Sequence, residues 1–237
     1  MTKHIALISG KGGTGKTTTA VNTALALNKL GRKVTLVDGN LATPNVMLHF
    51  GVVKPKNNLN DFINKKKSFK EIIYTHNETM NIIPASIKLQ DYHDTEFSKI
   101  NRLFDQLEGT SDFVIVDSPS GHNHEVSEIL KNTDEALIIV NPTTSSVLEA
   151  LKSIELARVH DNFIAGAIIN MSNKGKKELK PEQIEEVLKI PIIANVKHHY
   201  KFRKALHHQE PVYTKYKWSM LNKQYDKIAA HLTLNKI

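Results

Sequence analysis

The 237-residue sequence predicts an α/β fold, a mostly parallel twisted sheet of seven to eight strands with helices on both faces. Short β-branched apolar runs recur along the chain with helical patterns between them, which is the mark of repeated strand–helix–strand units. Several runs are apolar without alternation, as expected of strands covered on both faces. No Pro/Gly/Ser linker, internal repeat or break in composition interrupts the alternation, so residues 1–237 are expected to form one domain.

The first strand is expected over residues 4–9 and is followed by a helix over 17–30 that Gly31 closes. Strands follow at 33–37 and 81–84, then a helix over 96–107 closed by Gly109. Residues 113–116 and 136–140 read as strands, 145–159 as a helix and 163–169 as a strand. A helix over 181–188 opens on Pro181, whose missing N–H costs nothing in a first turn. A strand at 191–196 precedes a last helix over 219–232, where Met220, Leu221, Tyr225, Ile228, Ala229 and Leu232 fall on one stripe. That stripe suits either a helix covering the sheet or an interfacial membrane helix.

Composition narrows the function. Hydrophobic residues at 40% and charged residues at 24% exclude a disordered or low-complexity chain. The absence of cysteine removes disulfides, thiolate zinc sites, cysteine-ligated iron–sulfur clusters and cysteine nucleophiles together. The apolar run at residues 5–8 stops at Ser9-Gly10-Lys11, too short for a secretory signal, and no run approaches the ~18 residues that span a bilayer. A soluble, cytoplasmic protein is expected.

The net charge of +8 points to a polyanionic partner and is carried by two stretches. Residues 54–70 hold Lys54, Lys56, Lys65, Lys66, Lys67 and Lys70 against Asp61 alone. Residues 197–237 hold Lys197, Lys201, Arg203, Lys204, Lys215, Lys217, Lys223, Lys227 and Lys236 against Glu210 and Asp226. Either is a solvated surface or a contact for phosphates of DNA or anionic lipid. The twelve histidines include His122, His124 and the pairs His198-His199 and His207-His208, and neighbouring residues on one element point apart, so neither pair chelates alone.

Directly after the first strand stands Gly10-Lys11-Gly12-Gly13-Thr14-Gly15-Lys16-Thr17, opening straight into a helix. It satisfies G-x-x-x-x-G-K-[ST], a phosphate-cradling loop. Glycines let the backbone wrap close to phosphate oxygens, and successive N–H groups with the helix N-terminus supply a positive field. Gly12, Gly13, Thr14, Gly15, Lys16, Thr17 and Thr18 are the expected nucleotide-binding residues, with Lys16 reaching the β- and γ-phosphates and Thr17 ligating Mg²⁺. Asp38 and Asp117 each end a strand beside that loop, where open α/β sheets bind ligands, and either would hold Mg²⁺ through its water shell.

The stretch 10–18, GKGGTGKTT, closely resembles the deviant Walker A motif of the MinD/ParA family of dimerising P-loop ATPases. Residues 37–51, VDGNLATPNVMLHFG, resemble the first switch of MinD-like proteins, and 117–121, DSPSG, their second. The similarity continues through Asn141-Pro142, residues 145–150, Asn170, Arg203-Lys204-Ala205 and Pro211-Val212, and so covers nearly the whole chain. It implies ATP and Mg²⁺ as cofactors, a nucleotide-sandwich homodimer in which Lys11 crosses to the partner's phosphates, and Asn170 on the adenine edge. It also implies a positioning role regulated by an activator protein, or, in the ParA branch, non-specific DNA binding through the basic stretches. The metal-cluster branches of the superfamily are excluded by the absence of cysteine.

Two positions depart from the family pattern. Asn40 stands where a second switch aspartate usually positions the attacking water. An amide orients water but takes no proton, so slow hydrolysis is expected. Lys197-His198-His199 stands where MinD-like proteins usually have Pro-Glu-Asp near the adenine.

Overall fold

The computed structural model of the chain describes residues 1–173 and 177–234; Lys236 of the second basic stretch lies outside them. Eight strands form one sheet: β1 Lys3–Ile8, β2 Val34–Asp38, β3 Tyr74–Asn77, β4 Met80–Ile83, β5 Phe113–Asp117, β6 Glu135–Val140, β7 Phe163–Ser172 and β8 Ile192–Lys197. Their order is β3-β4-β2-β5-β1-β6-β7-β8, and every neighbouring pair is parallel except β3 and β4. The helices are α1 Lys16–Lys29, α2 Leu59–Ile63, α3 Leu89–His93, α4 Asn101–Leu107, α5 His124–Leu130, α6 Thr144–Val159, α7 Pro181–Leu188, α8 Tyr200–His207, α9 Val212–Lys215 and α10 Met220–Leu234.

Strand pleating divides the apolar residues between two cores. Ile5 and Leu7 of β1 pack with Ala20, Val21 and Ala24 of α1 and with Tyr225, Ile228 and Leu232 of α10. Ala6 and Ile8 face the other side, among residues of α2, α4, α5, α6 and α7. Each strand therefore needs apolar residues at consecutive positions, which is why these runs lack alternation. The α10 stripe is committed to the sheet: Leu221, Tyr225, Ile228, Ala229 and Leu232 are buried, whereas Met220 stands out 70% exposed. Its apolar face is thus occupied rather than free for lipid. No described helix is long and apolar enough to cross a membrane.

All seven expected strands are present, with no end moved by more than three residues. The expected helix over 96–107 divides: residues 97–100 form a 3₁₀ turn and α4 starts at Asn101. Phe97 and Ile100 are both buried, and a three-residue repeat suits the tighter helix. The edge strand β3 and the short helices α2, α3, α5 and α9 have no counterpart in the sequence expectation. β3 is four largely exposed polar residues on a hairpin, and those helices span at most eight residues, too few for a period to declare itself.

Candidate functional site

β1 is the central strand, flanked by β5 and β6, and the loop leaving its C-terminal end opens directly into α1. Gly13 and Gly15 both have positive φ, at 76° and 89°, and Gly15 forms the N-terminal boundary of α1 with no side-chain cap. The first-turn amides of α1 are therefore unmatched by any side chain, and no acidic residue sits in that turn. A cavity of about 330 Å³ lies over this loop. Residues 12–18 line it together with Asn40, Thr43, Asn45, Leu48 and His49 of the first switch, Ser118 and Ser120 of the second, and Leu206 of α8.

Ser9 organises the loop from below. Its hydroxyl receives the Lys16 ammonium at 2.8 Å and the Thr14 hydroxyl at 3.0 Å, while donating to the Lys11 carbonyl at 2.8 Å. Its carbonyl accepts from the Gly121 amide at 3.0 Å, which straps the second switch to the phosphate loop. Sequence reasoning treated Ser9 only as the end of a strand; a hydroxyl immediately before the first loop glycine was the signal available. Lys16 is largely buried, and burial lowers its pKa although the Asp117 carboxylate counteracts this.

Asp38 and Asp117 are register partners on β2 and β5, each 1% exposed. Asp38 accepts backbone N–H bonds from Asn40, Asn45 and Val46, at 3.3, 3.0 and 3.0 Å. Asp117 accepts the Thr17 hydroxyl through Oδ2 at 2.6 Å, and its Oδ1, although buried, has no hydrogen-bond partner. Burial raises the pKa of both carboxyls, and for Asp38 the Asp117 charge adds to the rise, whereas Thr17 and Lys16 hold Asp117 back. Two buried carboxyls side by side, one oxygen orphaned and a hydroxyl within reach, fit a small divalent cation that takes oxygen ligands.

Lys11 is exposed and folds back, its Nζ donating to Ser145 Oγ in the first turn of α6 at 2.7 Å. Asn40 lines the cavity with its amide tied to Thr43: Nδ2 donates to Thr43 Oγ1 at 2.9 Å and Oδ1 accepts the Thr43 amide at 3.2 Å. Asn170, 5% exposed at the far end of β7, donates through Nδ2 to the Thr14 carbonyl at 2.7 Å. A Cβ on Gly15 would stand 2.2 Å from that Nδ2, so the loop passes directly under the amide. Asn170 therefore braces the phosphate loop in this structure.

A second cavity of about 420 Å³ continues from Thr18, which borders both, across Asn170 and Met171 to Lys197, His198, His199, Tyr200, Phe202 and Arg203. Together the two volumes place a phosphate cradle beside a compartment roomy enough for a heterocyclic base. His122, by contrast, is turned away toward α6, with Nε2 3.1 Å from Ser153 Oγ.

A glycine loop between a central parallel strand and an uncapped helix, with lysine, threonine and a strand-end aspartate gathered beside it, defines a P-loop NTPase. A ParA family model, described as NUBPL iron-transfer P-loop NTPase, matches residues 1–233. An uncharacterised ATP-binding protein of Methanocaldococcus jannaschii is 33% identical over 96% of this chain and 86% of its own. The septum site-determining protein MinD of Bacillus subtilis is 27% identical over 90% and 82%. The solved structure of MinD from Pyrococcus horikoshii, complexed with Mg-ADP, superposes with a TM-score of 0.93 at 27% identity, covering 98% of this chain and 96% of that one. The chain belongs to the MinD/ParA family of P-loop ATPases.

Proposed function

We propose that this chain is a MinD-like ATPase that binds ATP and Mg²⁺, closes into a nucleotide-sandwich homodimer and acts as a positioning switch in cell division or localisation, with slow hydrolysis. The whole of residues 1–237 works as one unit in this reading. The observation that supports it best is the convergence of residues 12–18, Asn40 and both switches on one cavity, with Lys11 exposed immediately before that run.

In this reading the loop amides, Lys16 and the first turn of α1 hold the phosphates, and Asn170 lies against the base. Thr17, Asp38 and Asp117 would hold Mg²⁺ directly or through water, and the ion would supply neutralisation of phosphate charge there. Lys11 leaves Ser145 and reaches the partner's phosphates. Asn40 orients the attacking water without taking its proton, which keeps turnover slow. Both switches are strapped to the site, Gly39 N–H to the Asp117 carbonyl and Gly121 N–H to the Ser9 carbonyl, so a change at the γ-phosphate reaches both surfaces.

Phosphate release measured against protein concentration tests the reading. Turnover per chain that rises with concentration, and is abolished by Lys16→Ala, supports it; concentration-independent turnover contradicts the dimer.

A second reading, ParA-like non-specific DNA binding, draws on the exposed Lys197, Arg203 and Lys204 around α8. ATP-dependent, salt-sensitive DNA retention favours it. ATP-dependent sedimentation with anionic liposomes favours a cytoplasmic chain that cycles onto the membrane, and an activator that stimulates turnover would complete either cycle.

A further inference from the structure

Trp218 is the one tryptophan of the chain, and it stands 99% exposed in the turn between α9 and α10. Met220, two residues on at the start of α10, is 70% exposed. An indole carries roughly 150–250 Å² of largely apolar surface, which folding ordinarily takes out of water. Nothing in the packing of this chain covers it.

The turn is held in this posture rather than left loose. Asn222, 3% exposed, lies beneath it and donates through Nδ2 to the carbonyls of Tyr213, Tyr216 and Lys217, at 2.9, 3.1 and 3.4 Å. The Ser219 amide donates to the Tyr216 carbonyl at 2.9 Å and closes the turn. Behind it, the Tyr213 amide donates to Asn22 Oδ1 of α1 at 2.8 Å. The backbone that carries Trp218 is therefore tied to two long helices, and the indole is presented with little ordering left to do on contact.

Positive charge surrounds that indole. Lys201, Lys215 and Lys217 border one depression of about 610 Å³ together with Trp218, and Lys223 follows Met220 by three residues on the same face of α10. Glu210 pairs with Lys215 at 3.3 Å, whereas Lys201, Lys217 and Lys223 have no ion-pair partner among the described residues. An apolar anchor ringed by unpaired ammoniums suits the interface of an anionic bilayer, where tryptophan favours the headgroup level and each nearby lysine gains about fivefold in affinity. A DNA duplex offers phosphates to the lysines but no apolar phase to the indole and the thioether.

We infer that residues 215–223 form a peripheral membrane contact, in which Trp218 and Met220 enter the interface of an anionic bilayer while Lys201, Lys217 and Lys223 meet lipid phosphates. This surface is distinct from the apolar stripe of α10, which is spent on the sheet. One anchoring turn with a few charges gives reversible attachment rather than permanent insertion. None of these five residues lines the nucleotide cavities, so the inference goes beyond the function proposed above and does not rest on nucleotide binding.

Because Trp218 is the sole indole, its fluorescence reports the contact itself. The full chain is titrated with vesicles of phosphatidylcholine alone, with vesicles of equimolar phosphatidylcholine and phosphatidylglycerol, with the same anionic vesicles carrying brominated acyl chains, and with duplex DNA. Each titration is run without nucleotide and with Mg²⁺ and a non-hydrolysable ATP analogue. Emission is expected to move to shorter wavelength on the anionic vesicles alone, to be quenched by the brominated lipid, and to respond less as salt is raised. Trp218→Ala, at a position where no packing is lost, is expected to weaken sedimentation with the anionic vesicles roughly tenfold, the loss of a partly buried indole. Lys217→Gln combined with Lys223→Gln is expected to weaken it roughly twentyfold, about fivefold for each charge. Emission that stays that of a solvent-exposed indole on anionic vesicles in both nucleotide states, or sedimentation undiminished in Trp218→Ala, overturns the inference. A response to duplex DNA with none to vesicles assigns the surface to nucleic acid and overturns it equally.

Discussion

Lys11 Nζ donates to Ser145 Oγ at 2.7 Å, which holds the exposed lysine of the phosphate loop against the first turn of α6, 134 residues away in the chain. A lysine that must cross to a partner's phosphates has to break this bond first. Ser145→Ala removes the resting partner without touching the nucleotide. It is expected to lower the protein concentration at which an ATP-dependent dimer forms by roughly threefold, the worth of one exposed hydrogen bond. Analytical ultracentrifugation with a non-hydrolysable ATP analogue measures that shift, and a variant that dimerises less readily contradicts the resting role.

Asp38 and Asp117 share one buried site, in which burial and the Asp117 charge push the Asp38 carboxyl up while Asp117 serves as counter-charge to the buried Lys16. Asp117→Asn is expected to abolish the additional stabilisation that Mg²⁺ with ADP gives the wild type over chelator alone. Differential scanning calorimetry under both conditions reads that difference. Mg²⁺ with ADP stabilising the variant as much as the wild type excludes Asp117 from the metal site.

Gly15 combines a φ of 89° with the Asn170 amide directly above it. Gly15→Ala is strained by its backbone and by the 2.2 Å approach to Nδ2, so it should cost the loop its geometry. Nucleotide binding by calorimetry is expected to vanish while far-ultraviolet circular dichroism stays that of the wild type. Asn170→Ala, which removes only the brace to the Thr14 carbonyl, should weaken binding less and destabilise the chain by about 1–3 kcal/mol.

How much of this site was legible in the sequence depends on how local each relationship is. The phosphate loop is contiguous, and its glycines declare their backbone requirement by spacing alone. Asp38 and Asp117 stood out because each interrupts an apolar run, although their pairing across β2 and β5 appears only in the register of the sheet. Ser9 escaped notice because its role is to meet Lys16, seven residues on, after the loop has turned back. The bonds from Lys11 to Ser145 and from Asn170 to Thr14 span 134 and 156 residues, and no pattern in one chain encodes such a distance. Asn170 was expected against the base, and its bond to the loop assigns it a bracing contact that a strand-end asparagine does not announce. The apolar stripe of α10 illustrates the same limit, since its spacing fits sheet and lipid alike and only packing against β1 and α1 decides between them.

His49 is buried in the first switch, where burial pushes its pKa down to about 4. The unfolded chain takes up a proton near pH 6.5 that the folded chain refuses, so this residue lowers stability as pH falls from about 6.5 toward 4 and has no effect above that range. The wild type is expected to lose on the order of 2 kcal/mol more than His49→Gln between pH 7 and pH 5 in urea titrations. Equal losses would place His49 outside the titrating groups that set stability.

Asn40 keeps both ends of its amide on Thr43 at the mouth of the phosphate cavity. Asn40→Asp retains an acceptor for the Thr43 amide and adds a group able to take a proton, so single-turnover hydrolysis is expected to accelerate roughly tenfold or more. An unchanged or lower rate means that Asn40 does not limit the chemistry.

ATP is expected to close two copies of this chain across their phosphate loops through Lys11. Size-exclusion chromatography with light scattering, run with ADP, with ATP and with a non-hydrolysable analogue on the wild type and on Lys11→Ala, measures this closure. A dimer of the wild type with ATP or the analogue, monomer with ADP, and monomer throughout for Lys11→Ala is the predicted result. A wild-type chain that stays monomeric with saturating analogue, or a Lys11→Ala chain that dimerises as well as the wild type, contradicts it.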